Sequence, residues 1–398
     1  MQPSDVLIVG GGPAGAWAAG KLAQAGARVT LFDASHPREK PCGGGLTRRA
    51  FTLVHEAMAG TTVPSVEVAS VRFETPTAVV EMPLSLGGVS AQAALVVADR
   101  CRFDRALLDA AVSAGAVHVT ERVRDVVTGE DGVEVTTTGG AWKGHYLLGA
   151  DGANSLVRRR VASRFSRAQL SIATGYFLHG RTATQIRIRT VARPSGYIWS
   201  FPRCDHLSVG ICAQADACDV ATLRRMVHDW IAASGLDAGA RLEPYAWPIP
   251  SLSARDFARE VPGRGQWLLL GDAAGLVDPL TREGIYYALQ SAGFAADAIT
   301  RSRKPADEYC ERIRAEIFPE LARAATLKSR FFTSGFVDLM VSGLRRSARV
   351  RDVMADLVAG QQPYGTLKRR LLETFELRLA LELLWLQVRG GLSAYRAR

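Results

Sequence analysis

The 398-residue sequence has no run approaching the ~18 uninterrupted apolar residues that a membrane-spanning helix requires. None of its six cysteines (Cys42, Cys101, Cys204, Cys212, Cys218 and Cys310) has a partner at CxxC spacing. That argues against a zinc site and against a disulfide framework. Five of the six are expected to be small buried hydrophobes, with Cys42 set apart by its surroundings. No basic, apolar, cleavable leader precedes the first strand, Asp5-Val6-Leu7-Ile8-Val9, so a cytoplasmic protein is expected. Internal repeats, low-complexity tracts and long linkers are also missing.

What is present is an ordinary globular composition, 47% apolar and 22% charged, in a chain long enough for two or three domains. The net charge of +10 is unevenly placed. Residues 321–398 carry 14 Lys/Arg against 6 Asp/Glu, which leaves the first 320 residues nearly balanced. No nucleic-acid-binding motif accompanies this basic region, so nucleic acid is not expected. Peripheral contact with an anionic membrane surface fits it, as does a diphosphate-bearing substrate or simply a solvated basic face.

The chain opens as strand, turn, helix and strand, the helix running to about Gln24 and the second strand, Arg28 to Phe32, ending on Asp33. A helix is predicted from Phe103 to about Ala114 and another from about Glu283, with β-rich stretches at 63–97 and from about Ile172 to Cys212. Beyond Pro319 almost everything reads helical. Over Leu371–Val388 a packed helix with an Arg378–Glu382 pair is expected rather than a membrane-surface stripe. The alternation predicts an α/β (α+β) protein. A Rossmann-type nucleotide domain is assigned to 1–62, 98–165 and 263–318, an inserted antiparallel-sheet substrate domain to 63–97 and 166–262, and a helical region to 319–398.

The turn Gly10-Gly11-Gly12-Pro13-Ala14-Gly15 sits directly after a strand and at the start of a helix, where a dinucleotide fingerprint must be. Gly10 permits the tight turn, Gly12 lets the backbone approach a pyrophosphate, and Gly15 lets helix pack on strand. The helix N-terminus opens at Pro13, which has no N–H, and offers amide donors from Ala14 onward to the phosphates; Asp33 is placed for an adenosine ribose.

Later motifs resemble those of the p-hydroxybenzoate-hydroxylase superfamily. Gly149-Ala150-Asp151-Gly152-x-x-Ser155-x-Val157-Arg158 is similar to its second flavin fingerprint, and Gly271-Asp272-Ala273-Ala274 to its third. The resemblance implies FAD, with Asp151 and Asp272 at the cofactor and Arg100 near the flavin. Two further stretches resemble the geranylgeranyl reductase family: Lys40-Pro41-Cys42-Gly43-Gly44-Gly45-Leu46 and Pro194-x-x-Tyr197-x-Trp199-x-Phe201-Pro202. Asp278-Pro279-Leu280-Thr281-Arg282-Glu283-Gly284-Ile285 looks like its flavin-facing loop, which implies Gly284 and Ile285 at the cofactor. The likeness spans roughly residues 5 to 300, and Gly360-Gln361-Gln362-Pro363-Tyr364 fits it more loosely. One departure is Gly210-Ile211-Cys212, where relatives often carry Gly-x-Gly.

The family implies a flavin-bound reductase that saturates a prenyl C=C bond on a diphosphate, lipid or quinone, with NADPH or ferredoxin as electron donor. No second strand-glycine-helix unit offers a separate nicotinamide domain. Tyr197 and Trp199, two apart on a strand, point to one face; they read as a cavity wall beside Gly45, Phe201 and Pro202, or as ordinary core aromatics. Cys42, with Gly43 and Gly44, reads as a flavin-side group that contacts substrate or relays a proton, or as a passive buried thiol. Lys40 and the basic C-terminal helices are natural partners for a diphosphate. The alternatives are an oxygen-using monooxygenase or halogenase on an apolar or aromatic molecule, and a flavin-binding protein without turnover.

Overall fold

The first strand is apolar on both faces, and Val6 to Val9 are all buried, as befits a strand covered from two sides. The computed structural model describes residues 4–58, 60–75, 78–84, 94–129 and 131–373. In it the strand Ser4–Val9 lies inside an eight-stranded sheet, paired in parallel with Ala141–Gly149 on one side and Val29–Phe32 on the other. Trp267–Leu269 and Val117–Val119 extend the parallel array. Val123–Gly129 and Gly132–Thr137 form an antiparallel meander leading into Ala141–Gly149. The helix Pro13–Gln24 packs between Arg100–Ser113 and Ile285–Arg301. Small residues make that approach close: a Cβ on Gly20 would meet Ala111 Cα at 3.5 Å.

A second, seven-stranded sheet runs Arg241–Pro250, Leu170–His179, His206–Gln214, Gly196–Pro202, Gln185–Val191, Ser70–Glu74 and Val79–Pro83. It is antiparallel except where Gln185–Val191 meets Ser70–Glu74. Alternation along Gly196–Pro202 divides its residues between two environments. Ile198 joins Val209 and Ile211 beneath the helix Val220–Ala233, whereas Tyr197, Trp199 and Phe201 point the other way. On the sheet's distal part the helices Ser334–Arg346 and Ala348–Val358 pack on Val71, Phe73, Met82 and Ile186. The chain is therefore a mixed α/β protein, a parallel nucleotide-type sheet beside a largely antiparallel one.

Some elements begin elsewhere than the sequence predicts. The helix expected from Phe103 starts at Arg100, because Asp99 caps it by accepting from Arg102 N at 2.8 Å. The helix expected from Glu283 starts at Ile285, because Glu283 is held in the preceding loop. All six cysteines are free, but only Cys212 and Cys310 are buried; Cys204 is exposed and Cys101 and Cys218 are partly so. Their positions in a turn, at a helix start and in a loop explain this. The expected Arg378–Glu382 pair lies outside the described residues. Among those described, no helix is long and apolar enough to cross a membrane.

Candidate active site

The glycine turn is as tight as its spacing implies. Gly10 has φ 105°, and a Cβ on Gly15 would lie 1.8 Å from Gly10 O. The first turn of Pro13–Gln24 carries no acidic residue and no side-chain cap, which leaves its amide donors for a phosphate. A cleft beside it is lined by Gly10, Gly12, Pro13, Ala14, Asp33, Asp151 and Asp272. A second, apolar cavity is lined by Cys42 to Gly45, Tyr197, Trp199, Phe201, Gly284 and Ile285. Pro13, Lys40, Trp247, Asp272 and Ala288 line both, so the two join into one long channel.

Asp33 ends the second strand as expected and accepts from Gly11 N (2.6 Å), from Ser35 N and Oγ, and from His36 N and Nδ1. Burial alone would raise its carboxyl, but the His36 contact and these amides outweigh it and hold the group well below the usual carboxylate range. Five protein donors fill both oxygens, so a ribose hydroxyl here must share or displace one of them. His36 is itself buried, which disfavours its charge. Asp104 and Asp33 on its two sides overcome that and raise its pKa. Asp104 in turn grips Arg100 through two bonds of 2.8 and 2.9 Å, and Arg100 Nη1 lies 3.1 Å from Cys42 Sγ. A continuous buried chain, Asp33–His36–Asp104–Arg100–Cys42, therefore links the two ends of the channel.

Asp151 also lines the cleft, but its carboxylate caps the helix Leu156–Val161 by accepting from Ser155 Oγ, Leu156 N and Val157 N. Asp272 sits in the turn after Trp267–Leu269, with Lys40 Nζ 3.6 Å from its Oδ2. Lys40, expected to meet a diphosphate, is thus engaged at the junction of the channel.

The cysteine-glycine loop lies against the second sheet. Cys42 O accepts from Ser208 Oγ at 3.0 Å and from Arg203 Nη2 at 3.1 Å. Gly44 has φ 81°, and a Cβ there would overlap the Arg203 guanidinium; one on Gly43 would press on the Phe201 ring. Across the cavity Tyr197 Oη donates to Thr281 O at 3.2 Å, and its ring stacks on Phe332 at 6.2 Å. Trp199 lies over Gly210, where a Cβ would come within 2.5 Å of the indole. Cys212, the departure noted in the sequence, pairs with Tyr197 and lines the cavity beside it. Pro202 does not reach the lining.

The loop before Ile285–Arg301 is tied at several points. Asp278 accepts from Leu280 N, Thr281 N and Tyr364 Oη. Glu283 accepts from Thr47 Oγ1 and pairs with Arg49. These bonds set Gly284 and Ile285 on the channel wall, with an uncapped helix N-terminus behind them. His36, Arg203 and Tyr364 are site residues that the sequence does not reveal; only Tyr364 lies within a recognised motif. The channel fits the expected FAD: a phosphate-binding helix start near one end, Asp272 at its middle, and a wide apolar chamber beyond.

Comparison with known proteins agrees with this geometry. An FAD binding domain family matches residues 3–234. A geranylgeranyl diphosphate reductase of Rhodobacter capsulatus is 32% identical over 336 residues, covering 76% of this chain and 77% of that one. A menaquinone reductase of Mycobacterium tuberculosis is 31% identical over 74% of this chain and 76% of its own length. The crystal structure of a geranylgeranyl bacteriochlorophyll reductase-like protein from Thermoplasma acidophilum superposes with a TM-score of 0.78 at 20% identity, over 94% of this chain and all of that one.

Proposed function

The chain belongs to the geranylgeranyl reductase family of FAD-dependent oxidoreductases, and from that premise we propose that it saturates C=C bonds of a prenyl chain. FAD is its cofactor, and in reduced form supplies the hydride. The observation that carries the proposal is the apolar chamber joined to the cofactor cleft, walled by Tyr197, Trp199 and Phe201 on one side and Cys42 to Gly45 on another.

In this reading the helix start at Pro13, Ala14 and Gly15 receives the pyrophosphate, Asp272 the ribityl chain, and Gly284 with Ile285 the ring system. Asp33 orders the ribose end, and Asp151 shapes its turn. An isolated alkene accepts hydride poorly, so it has to be held close and kept dry. Flat aromatic walls do both, losing little side-chain entropy. Burial keeps the Tyr197 phenol protonated, so it acts as a wall and as a tie to Thr281. The second hydrogen arrives as a proton, and Cys42 is the group that delivers it. Arg100 Nη1 donates to that sulfur at 3.1 Å and fixes its position.

Replacing Cys42 with alanine is expected to lower kcat on the order of 10²-fold, the usual worth of a positioned general acid, with KM within about threefold. Steady-state kinetics on prenyl substrate checks this, and an unchanged kcat assigns Cys42 to packing. Electrons come from NADPH or ferredoxin binding transiently, and the basic C-terminal region meets an anionic membrane surface where the substrate resides. Mass spectrometry of lipids and quinones from cells with and without the protein tests the proposal. Fewer prenyl double bonds are expected in its presence; identical saturation contradicts the reading.

A further inference from the structure

The segment Gly360-Gln361-Gln362-Pro363-Tyr364 joins the helices Ala348–Val358 and Tyr364–Glu373, and no step of prenyl reduction uses it. It is fastened more firmly than a surface turn needs. Gln361 N and Gln362 N donate to Asp356 O at 2.7 and 3.1 Å, and Tyr364 N donates to Glu320 Oε2 at 2.7 Å. Gly360 has φ 71°, and a Cβ there would lie 2.6 Å from Arg49 Nε. Arg49 in turn pairs with Glu283. The Tyr364 hydroxyl donates to Asp278 Oδ2 at 2.8 Å. The segment therefore reaches both ends of the loop 278–283, through Arg49 to Glu283 and directly to Asp278.

Asp278 is 2% exposed and closes this loop on itself. Its Oδ1 accepts from Leu280 N and Thr281 N, its N donates to Glu283 O at 2.9 Å, and its O accepts from Arg282 N at 3.0 Å. Arg282, inside the loop, has φ 64°, the one positive value at a non-glycine among the described residues. A side chain persists in that conformation where the surroundings over-determine it. Burial, followed by the Asp278 charge, pushes the Tyr364 phenol well above its usual range, so the hydroxyl stays a donor. The loop leads directly into the helix Ile285–Arg301. That helix starts on the channel wall, and its first turn carries neither an acidic residue nor a side-chain cap.

We propose that Tyr364 is a positioning residue for the cofactor: its hydroxyl, acting through Asp278, holds the helix start against the FAD ring system, so that the C-terminal region sets how strongly reduced FAD is favoured over oxidised. The inference rests on the reading that places the ring system at Gly284 and Ile285, and on no property of the prenyl substrate. Uptake of two electrons and one proton leaves the ring system with an added negative charge, which free amides at a helix start stabilise. Removing the Tyr364 hydroxyl leaves a buried carboxylate oxygen without its donor and loosens the loop that carries those amides. Both changes disfavour the reduced form.

The test is the midpoint potential of FAD bound to the full chain, measured without air against reference dyes. Tyr364→Phe is expected to weaken the preference for reduced over oxidised FAD about tenfold, which lowers the potential by about 30 mV for a two-electron couple. The same ratio follows from titrating apoprotein with oxidised and with reduced FAD, which covers a variant that purifies empty. Ile285→Pro removes the first helix amide at a position where proline is tolerated, and its potential is expected to fall likewise. Leu344→Ala, in the core of the C-terminal helices and outside the channel lining, should lower the thermal midpoint at least as far as Tyr364→Phe and leave the potential where it is. An unchanged potential in Tyr364→Phe beside a lowered one in Ile285→Pro overturns the role of Tyr364 and leaves the ring placement standing. Unchanged potentials in both overturn the placement as well. A fall of equal size in Leu344→Ala assigns the effect to general loosening and overturns the proposal.

Discussion

Gly15→Ala is expected to yield protein that purifies without its flavin. The added Cβ would lie 1.8 Å from the carbonyl oxygen of Gly10, a backbone atom that cannot swing aside. Relief requires the helix Pro13–Gln24 to lift from the turn, moving the amide donors away from the pyrophosphate position. Hydrogen bonds to a charged group are worth about 1.5–3 kcal/mol each, so losing two of them costs on the order of 10²-fold in affinity or more. The contrast is Gly26→Ala: Gly26 also has a positive φ, 87°, but nothing lies within 4 Å of the new methyl. That variant should lose about 1 kcal/mol of stability and keep its flavin. Flavin absorbance per protein, with fluorescence titration of added FAD, measures both. Full FAD occupancy in Gly15→Ala would mean the turn does not hold the cofactor.

The second large effect is expected at Asp104. Arg100 and Asp104 are both buried, at 2% and 0% exposure, so Asp104→Asn leaves an uncompensated guanidinium inside the protein. Breaking a buried pair from one side typically costs about 3–5 kcal/mol. The same change removes one of the two carboxylates that raise the pKa of His36 against its burial. The pH dependence follows from the directions of the shifts. Asp33 and Asp104 are depressed below 3.8, so their contribution is present above that value and lost as pH falls through their folded values. His36 is raised above 6.5, so its contribution is complete below 6.5 and lost as pH rises through its folded value. Thermal midpoints of wild type and Asp104→Asn should therefore differ most between 3.8 and 6.5. On the alkaline side the gap should narrow but persist, because the Arg100–Asp104 pair remains; on the acid side it should close, because a protonated Asp104 leaves Arg100 as uncompensated as asparagine does. A gap that is small and flat with pH would show that the chain from Asp33 to Cys42 is not coupled.

The parts of this site legible in the sequence are those whose chemistry is local. Gly10, Gly12 and Gly15 announce themselves because strand, turn and helix are contiguous, and Tyr197 and Trp199 because a strand repeats every two residues. The glycine run after Cys42 marks a loop, but the reason for Gly44 is Arg203, 159 positions further along. His36 looks like any loop histidine until Asp104 is brought against it by the packing of Arg100–Ser113. Cys204 departs from expectation for the opposite reason: composition favours burial of cysteine, while its turn holds it at the surface. Pairings across long sequence separation leave no periodic trace, and these are what distinguish this channel from a generic flavin site.

The central claim is reduction of a prenyl double bond, and the most direct measurement is the mass of the product from one anaerobic turnover. Chemically reduced, FAD-loaded protein would be mixed with geranylgeranyl diphosphate in heavy water and the prenyl chain analysed by mass spectrometry. The prediction is reoxidised flavin and a gain of two hydrogens per saturated bond, both of them deuterium, because the N–H hydrogen of chemically reduced flavin and the thiol hydrogen both exchange with solvent. Unchanged mass without air, and an oxygenated chain only once air is admitted, would contradict the account.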